Sequence, residues 1–388
     1  MKLLSNQTKY IVEYGNNIAF DFVKNAQMWI ERDNRNEVLL FGAGSHVRWV
    51  LSFMRKYNIP IKMILDSRRV NSQTKIDGIP VVSFEKLCST LNDSVDNHKW
   101  FVISAPSAAD SITAIIKQNF PSALITSCDM QMYSQFIPDI QEYRNYLIRN
   151  WDEFNLLFDC FEDDFSRKTL QNVLLGRITG DYRYYQYCYA PAAYYQRDII
   201  HFQDNEVMVE LGGYDGETLK EFINQCPNYK TAYCFEPDKK LIPKLKQIKE
   251  NQFQLGKRVE IIDKGAWDKE GVLYFSTDNV GEDTGRIVNV QDGKELMAIN
   301  VTSVDSTVLE PISFMKLDVE GSELRALMGA EQQISRNKPK LAVSVYHKPE
   351  DFLNIWKFLK SLVPEYKYYL RHHTQFAGTD TILYAVMD

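Results

Sequence analysis

The chain lacks most of the features that place a sequence in a class at once. Its six cysteines, among 388 residues, are scattered at 88, 128, 160, 188, 226 and 234, with no C-x-x-C pair and no histidine at zinc-ligand spacing. That excludes a disulfide framework and reads as reduced thiols, so a cytoplasmic location is expected. No apolar run approaches the length needed to span a bilayer. The opening MKLLSNQTKYIVEYGNN has no apolar core of the kind a signal peptide carries. Positive charge is not in excess: the net charge is −6, which supplies no electrostatic reason to bind nucleic acid or an anionic membrane. Sequence repeats are absent as well.

What is present is ordinary globular material, 45% apolar and 25% charged, in a chain too long for one ordinary core. Residues 1–130 predict a small Rossmann-like domain with a leading helix around AFDFVKNAQMWIERD. Its strands are EVLLF, IKMILD, IPVV, WFVISAP and ALITSCD, alternating with helical patterns. Residues 131–194 read as a connector of charged, aromatic helices ending in the tyrosine-rich DYRYYQYCYAPAAYY. From 195 to 388 the alternation restarts. EVMVELGG, YKTAYCFEPD, RVEIIDKGAWD, GVLYFST, SFMKLDVEG, KLAVSVYHK, YKYYLRHH and DTILYAVMD are the strand candidates, the last ones close together as an antiparallel edge would be. The expected fold class is therefore α/β, with two Rossmann-like domains joined by a helical segment.

Two glycine turns follow apolar strands, and they differ in charge. In VMVELGGYDGET the turn carries Glu210, Asp215 and Glu217 beside Gly212 and Tyr214. A dinucleotide places its pyrophosphate on the helix N-terminus behind such a turn, where carboxylates would repel it. A cationic ligand reverses that logic, and S-adenosylmethionine carries a sulfonium and an ammonium group. The glycines still permit close backbone approach. Glu236 ends the next strand, placed to accept hydrogen bonds from ribose hydroxyls. Asp263 ends the third, within reach of an adenine amino group, with Ala266 or Trp267 to pack on the ring. In FMKLDVEGSELRALMGA, Asp318 ends another apolar strand, and Glu320 follows. SVYHKPEDF and YYLRHHT put His347, Arg371, His372 and His373 at strand ends.

This order of motifs, VMVELGGYDGET, CFEPD, KLDVEGSELRALMGA, SVYHKPEDF, YLRHH and TILYAV, resembles the FkbM family of S-adenosylmethionine-dependent methyltransferases. The resemblance covers about 195–388. One departure is Gly213, where the family pattern has Ala. The resemblance implies a class I methyltransferase sheet of seven strands with an antiparallel last hairpin. It also implies an O-methyltransferase acting on a sugar or polyketide hydroxyl. Carried over by position, Glu210, Gly212, Asp215, Glu236, Asp263 and Asp318 line the cofactor; Tyr214 and Ala266 complete the expected set. His347 is the expected base because an ordinary histidine titrates near neutrality, with Asp318 and His372 as alternatives. Asp318 and Glu320 are too short an acidic pair to predict a metal site, and none is expected. Tyr194 or Tyr195 is placed to cover the cofactor or stack on a sugar.

The upstream turn, FGAGSHVRWV, has Gly42 and Gly44 but Val47 where a third glycine would sit. It carries no acid, and Asp66 ends the following strand. Together with DGIPVVSFEKL it is similar to the N-terminal domain of sugar O-acetyltransferases, which implies a nucleotide or nucleotide-sugar at Gly42, Gly44 and Asp66. The expected function is methyl transfer to a hydroxyl of a carbohydrate, nucleotide-sugar or related natural-product acceptor. Two alternatives stay open, an NAD-dependent oxidoreductase and a nucleotide-sugar-binding scaffold, both using the GAG turn. No Tyr-x-x-x-Lys follows that turn to serve a dehydrogenase.

Overall fold

The run EVLLF forms β1 (Glu37–Phe41), and four of its five residues are buried. Around it, in the computed structural model, stand β2 (Ile61–Leu65), β3 (Lys75–Ile76), β4 (Ile79–Val82), β5 (Lys99–Ile103) and β6 (Leu124–Thr126). The order is β3-β4-β2-β1-β5-β6, parallel except for the β3–β4 hairpin. That hairpin turns on Asp77 and Gly78, both at positive φ, as a two-residue primed turn requires. The structure describes residues 2–44, 46–66, 74–90, 98–276, 286–287 and 296–387.

The second sheet begins with β7 (Val207–Leu211), β8 (Thr231–Phe235) and β9 (Arg258–Ile262). Next come four strands of a separate small sheet: β10 (Gly265–Ala266), β11 (Gly271–Ser276), β12 (Arg286–Ile287) and β13 (Leu296–Thr302). GVLYFST thus leaves the main sheet for this one, joined there by a strand over 296–302 that was not anticipated. Then β14 (Phe314–Leu317), β15 (Lys340–Ser344), β16 (Lys367–His372) and β17 (Thr381–Val386) complete seven strands in the order β16-β17-β15-β14-β7-β8-β9. The last hairpin is antiparallel, as expected. Helices cover both faces, so VMVEL and TAYCF are buried at every position and read as continuous apolar runs.

The chain winds outward from β7 to β9 and then crosses to β14 on the other side of β7. The order therefore reverses between β7 and β14, whose ends are in register at Leu211 and Leu317. Open α/β sheets bind ligands at such a switch point, outside the carboxyl ends of the strands. The expected site residues Gly212 and Asp318 are the ones that leave these two strands.

The connector contributes helices Met130–Gln135, Ile140–Arg149, Trp151–Cys160 and Asp164–Thr179. Asp129, Asp139 and Asp163 accept from free N–H groups at three of their starts. The segment is pinned along the edge strand β16. Glu162 N–H donates to the Tyr368 carbonyl at 3.0 Å, and Ala190 N–H donates to that of His372 at 2.8 Å. Arg371 binds Asp163 at 2.7 Å and Asp198 at 2.9 Å. These contacts close an edge that would otherwise invite pairing with another chain. One apolar cluster runs from Leu40 and Tyr133 through Phe154 to Val209 and Leu317, so the two sheets share a core. Among the described residues, no helix is long and apolar enough to cross a membrane.

Candidate active site

The turn after β7 admits nothing larger than glycine at three places. Gly212 has φ +83°, and a Cβ there would lie 1.9 Å from the Asp318 carbonyl oxygen. At Gly216, φ +81°, it would lie 2.4 Å from Ile248. A Cβ on Gly213 would fall 2.2 Å from Cys234 Sγ, which explains the glycine found where alanine was anticipated. The turn is thus clamped between the Asp318 backbone and the helix behind β8.

Its acids are not free to meet a cation. Glu210 is fully buried, accepts from the Thr218 hydroxyl, and lies 3.4 Å from Lys316 Nζ. Burial raises its pKa, and Lys316 opposes the rise. Lys316 in turn donates to the Gly212 carbonyl at 2.8 Å. Asp215 pairs with Lys244 at 2.9 Å and Glu217 with Lys220 at 2.6 Å. Each acid of the turn therefore has its own lysine, and the expected pull of negative charge on a cofactor is balanced locally. The turn's fitness for a ligand lies in its glycine geometry instead.

Glu236, leaving β8, is buried at 7% exposure and accepts from Tyr214 N–H at 2.8 Å and Asp238 N–H at 2.7 Å. Burial raises its pKa against those two hydrogen bonds. Both carboxylate oxygens are thereby fixed across the mouth of the turn. Tyr214, at φ +44°, is half exposed beside it. Asp263 stands exposed just after β9. Ala266 is buried in the small sheet, and the Trp267 ring lies 5.7 Å beneath the Arg325 guanidinium.

The densest chemistry surrounds Asp318. Tyr194 donates to its Oδ2 at 2.6 Å, and His347 Nε2 lies 3.5 Å from Oδ1. The Tyr194 ring also receives the Lys316 ammonium at 4.9 Å, so the turn, Asp318 and the connector meet through one tyrosine. Tyr195 is buried at 1% and donates to the Thr218 carbonyl at 2.7 Å. His347 Nε2 is 3.5 Å from Glu320 as well, and Nδ1 is 2.9 Å from Glu323 Oε1. Burial alone would lower the pKa of His347, but Glu323, Asp318 and Glu320 lift it to about 10. The structure thus sets the expected base inside a group of three acids. His372 is the expected alternative. It is fully buried, its ring nitrogens meet Thr381 at 2.9 Å and Thr374 at 3.2 Å, and burial holds its pKa down to about 3. Asp318, partly exposed, is the most open member of the expected catalytic set. Non-glycine residues at positive φ gather here: Tyr194, Tyr214, Glu320 and Asp380. Such strain concentrates where function holds it in place.

Lys316, Glu323 and Asp380 were not anticipated. A lone lysine inside the apolar strand FMKL was the available sign of the first. Glu323 looks like an exposed residue in the first turn of a helix, yet it is fully buried.

At the upstream turn, Gly42 has φ +114° and Asp66 is buried, its carboxylate accepting from Ala43 N–H at 3.1 Å. Asp66 braces the turn. Next to it, Ser104 donates to the Gly42 carbonyl at 2.7 Å and lines a small pocket with His46, Trp49, Asp129 and Phe376. Phe376 comes from the loop between β16 and β17, so both sheets border this pocket. Ser45, the residue after Gly44, lies outside the described residues.

Residues 210–368 match the family model of the methyltransferase FkbM domain. That stretch holds every residue discussed from Glu210 to His347, and the match covers less than half of the chain. A crystal structure of methyltransferase FkbM from Methylobacillus flagellatus KT is 23% identical, covers 98% of this chain and 98% of its own, and superposes at a TM-score of 0.78. That likeness extends through the N-terminal sheet and shows the fold. An rRNA methylase from Streptococcus thermophilus is 16% identical over 48% of this chain and 89% of its own, TM-score 0.30. Fibrillarin from Aeropyrum pernix, in complex with natively bound S-adenosyl-L-methionine, is 13% identical over 47% and 67%, TM-score 0.31. No curated protein matches the chain. The family match supports a methyltransferase with S-adenosylmethionine as cofactor. The residues present fit that cofactor: the turn after β7 is packed tightly on Asp318, Cys234 and Ile248 at its three glycines, and Glu236 stands fixed beside it at the switch point.

Proposed function

We propose that the protein is an O-methyltransferase whose acceptor is a hydroxyl of a carbohydrate, a nucleotide-sugar or a related natural product. The observation that carries this reading is Asp318 packed against Gly212 at the switch point. One of its carboxylate oxygens is fixed by Tyr194, and the group is still partly open to the cleft. S-adenosylmethionine, when bound, supplies a methyl group on a good leaving group. Gly212 and Gly213 let the backbone approach it, Glu236 takes the ribose hydroxyls, and Asp263, Ala266 and Trp267 border the adenine. Tyr214 and Asp215 close the turn. Asp318 orients the acceptor hydroxyl and takes its proton, and alignment supplies most of the rate.

A second element of the reading is a nucleotide or nucleotide-sugar at Gly42, Gly44 and Asp66, where a glycine turn without an acid of its own follows β1. The pocket that His46, Trp49, Ser104 and Asp129 line beside it is too small to hold a sugar ring. The test is transfer of labelled methyl from S-adenosylmethionine to a panel of sugars, nucleotide-sugars and acyl carriers, with the product read by mass and by the methylated atom. A methyl group found only on nitrogen or carbon contradicts O-transfer.

A further inference from the structure

We propose that Asp318, Glu323 and His347 bind a divalent first-row cation, of the kind represented by Mn²⁺, at the carboxyl end of β14. One donor atom from each of the three lies within 4.8 Å of the others: Asp318 and Glu323 from the turn after β14, and His347 from beyond β15. Ligands around a single ion about 2.1 Å from each donor stand apart by roughly 3–4 Å, so the convergence is of the right size. This candidate cation site is empty.

The donors are buried and unfinished. The His347 side chain is 2% exposed and that of Glu323 is fully buried. Neither ring nitrogen of His347 makes a hydrogen bond, nor does Glu323 Oε2. Nδ1 is near Glu323 Oε1, at 2.9 Å, yet the two are not aligned for one. Buried polar groups normally find partners, and unpaired atoms on His347 and Glu323, side by side, ask for a guest.

The donors are also held in place. Glu323 Oε1 accepts from Val319 N–H at 3.0 Å and Gly321 N–H at 3.3 Å, which leaves Oε2 directed away from those amides. Asp318 Oδ2 is occupied by Tyr194, and Oδ1, which accepts a long hydrogen bond from the Tyr346 hydroxyl at 3.4 Å, lies on the histidine side. Glu320 adds a third carboxylate 3.5 Å from Nε2. Three carboxylates around one imidazole is an excess of negative charge in a buried place, and a divalent ion neutralises it. Two carboxylates and an imidazole suit Mn²⁺, Fe²⁺ or Zn²⁺ better than Ca²⁺, which takes oxygen ligands. The sequence predicted no metal here because the acids alone looked like a solvated pair; Glu323 and His347 enter only in three dimensions.

Use of the ion in methyl transfer, holding the acceptor oxygen beside Asp318, rests on the proposed function, whereas binding itself does not. The experiment is therefore done on the full chain without methyl donor or acceptor. Protein stripped with chelator is titrated with Mn²⁺ and free ion is read by electron paramagnetic resonance. Pulsed measurements on the wild type report any directly bound imidazole nitrogen. The expected result is one Mn²⁺ per chain with a nitrogen coupling, lost in His347→Gln and weakened at least tenfold in Glu323→Gln. Absence of binding at millimolar Mn²⁺, or binding with no nitrogen coupling in the wild type, overturns the proposal whatever the variants do. Binding of S-adenosylmethionine is measured separately on the same preparation, so that failure of the metal site and failure of the methyltransferase reading are told apart.

Discussion

Lys316 Nζ lies 3.4 Å from Glu210 Oε1, and their side chains are only 4% and 0% exposed. A buried ion pair tolerates loss of both partners far better than loss of one. Lys316→Met leaves Glu210 buried beneath the glycine turn without its cation and should cost about 3–5 kcal/mol. Adding Glu210→Gln to it should recover much of that loss. Denaturant unfolding of both variants checks this; equal losses would mean that the pair carries no coupling.

Gly213 is matched to Cys234. A Cβ on the glycine would sit 2.2 Å from the sulfur, so Gly213→Ala overpacks the turn, at a cost of about 1–3 kcal/mol. Cys234→Ala in the same chain removes the sulfur and should restore most of the melting temperature. A double variant no more stable than Gly213→Ala would contradict this account of the departure from the family pattern.

Asp318 is proposed as the group that takes the hydroxyl proton. Asp318→Asn keeps the shape and should lower kcat by about 100-fold or more, with the affinity for S-adenosylmethionine changed little. Single-turnover transfer to an identified acceptor is the measurement. Unchanged turnover would remove Asp318 from the role.

His372 is buried and His373 half-buried, and burial lowers their pKa values to about 3 and about 4 from an ordinary 6.5. Both are neutral in the folded chain near pH 7. As pH falls below 6.5 the unfolded chain takes protons that the folded chain refuses, so their contribution to stability is lost progressively down to the folded values. His373→Asn, with no proton to gain, should narrow the loss of melting temperature on acidification relative to wild type. A steeper loss in the variant would reverse the sign and refute the argument.

These residues also mark how far the sequence could be read. Apolar runs such as VMVEL and TAYCF declared their strands because a sheet covered on both faces demands continuous apolar residues. Gly212 was legible because only glycine fits its φ and its contact with the Asp318 carbonyl. Glu210 was seen, but its meaning was not. The lysine that neutralises it lies more than a hundred residues later, on the neighbouring strand, and no local pattern couples the two. The surroundings of His347 were hidden for the same reason. Its proton affinity is set by Glu323, Asp318 and Glu320, which meet it only after β14 and β15 pair. GVLYFST was a correct strand in the wrong sheet, because alternation reports a strand without naming its neighbour.

Calorimetric titration of S-adenosylmethionine into wild type and Glu236→Ala tests the central claim most directly. The account predicts one site per chain, weakened about tenfold or more in the variant by loss of the ribose hydrogen bonds. Equal affinity in the two proteins, or a glycine turn that binds NAD and ignores S-adenosylmethionine, would contradict it.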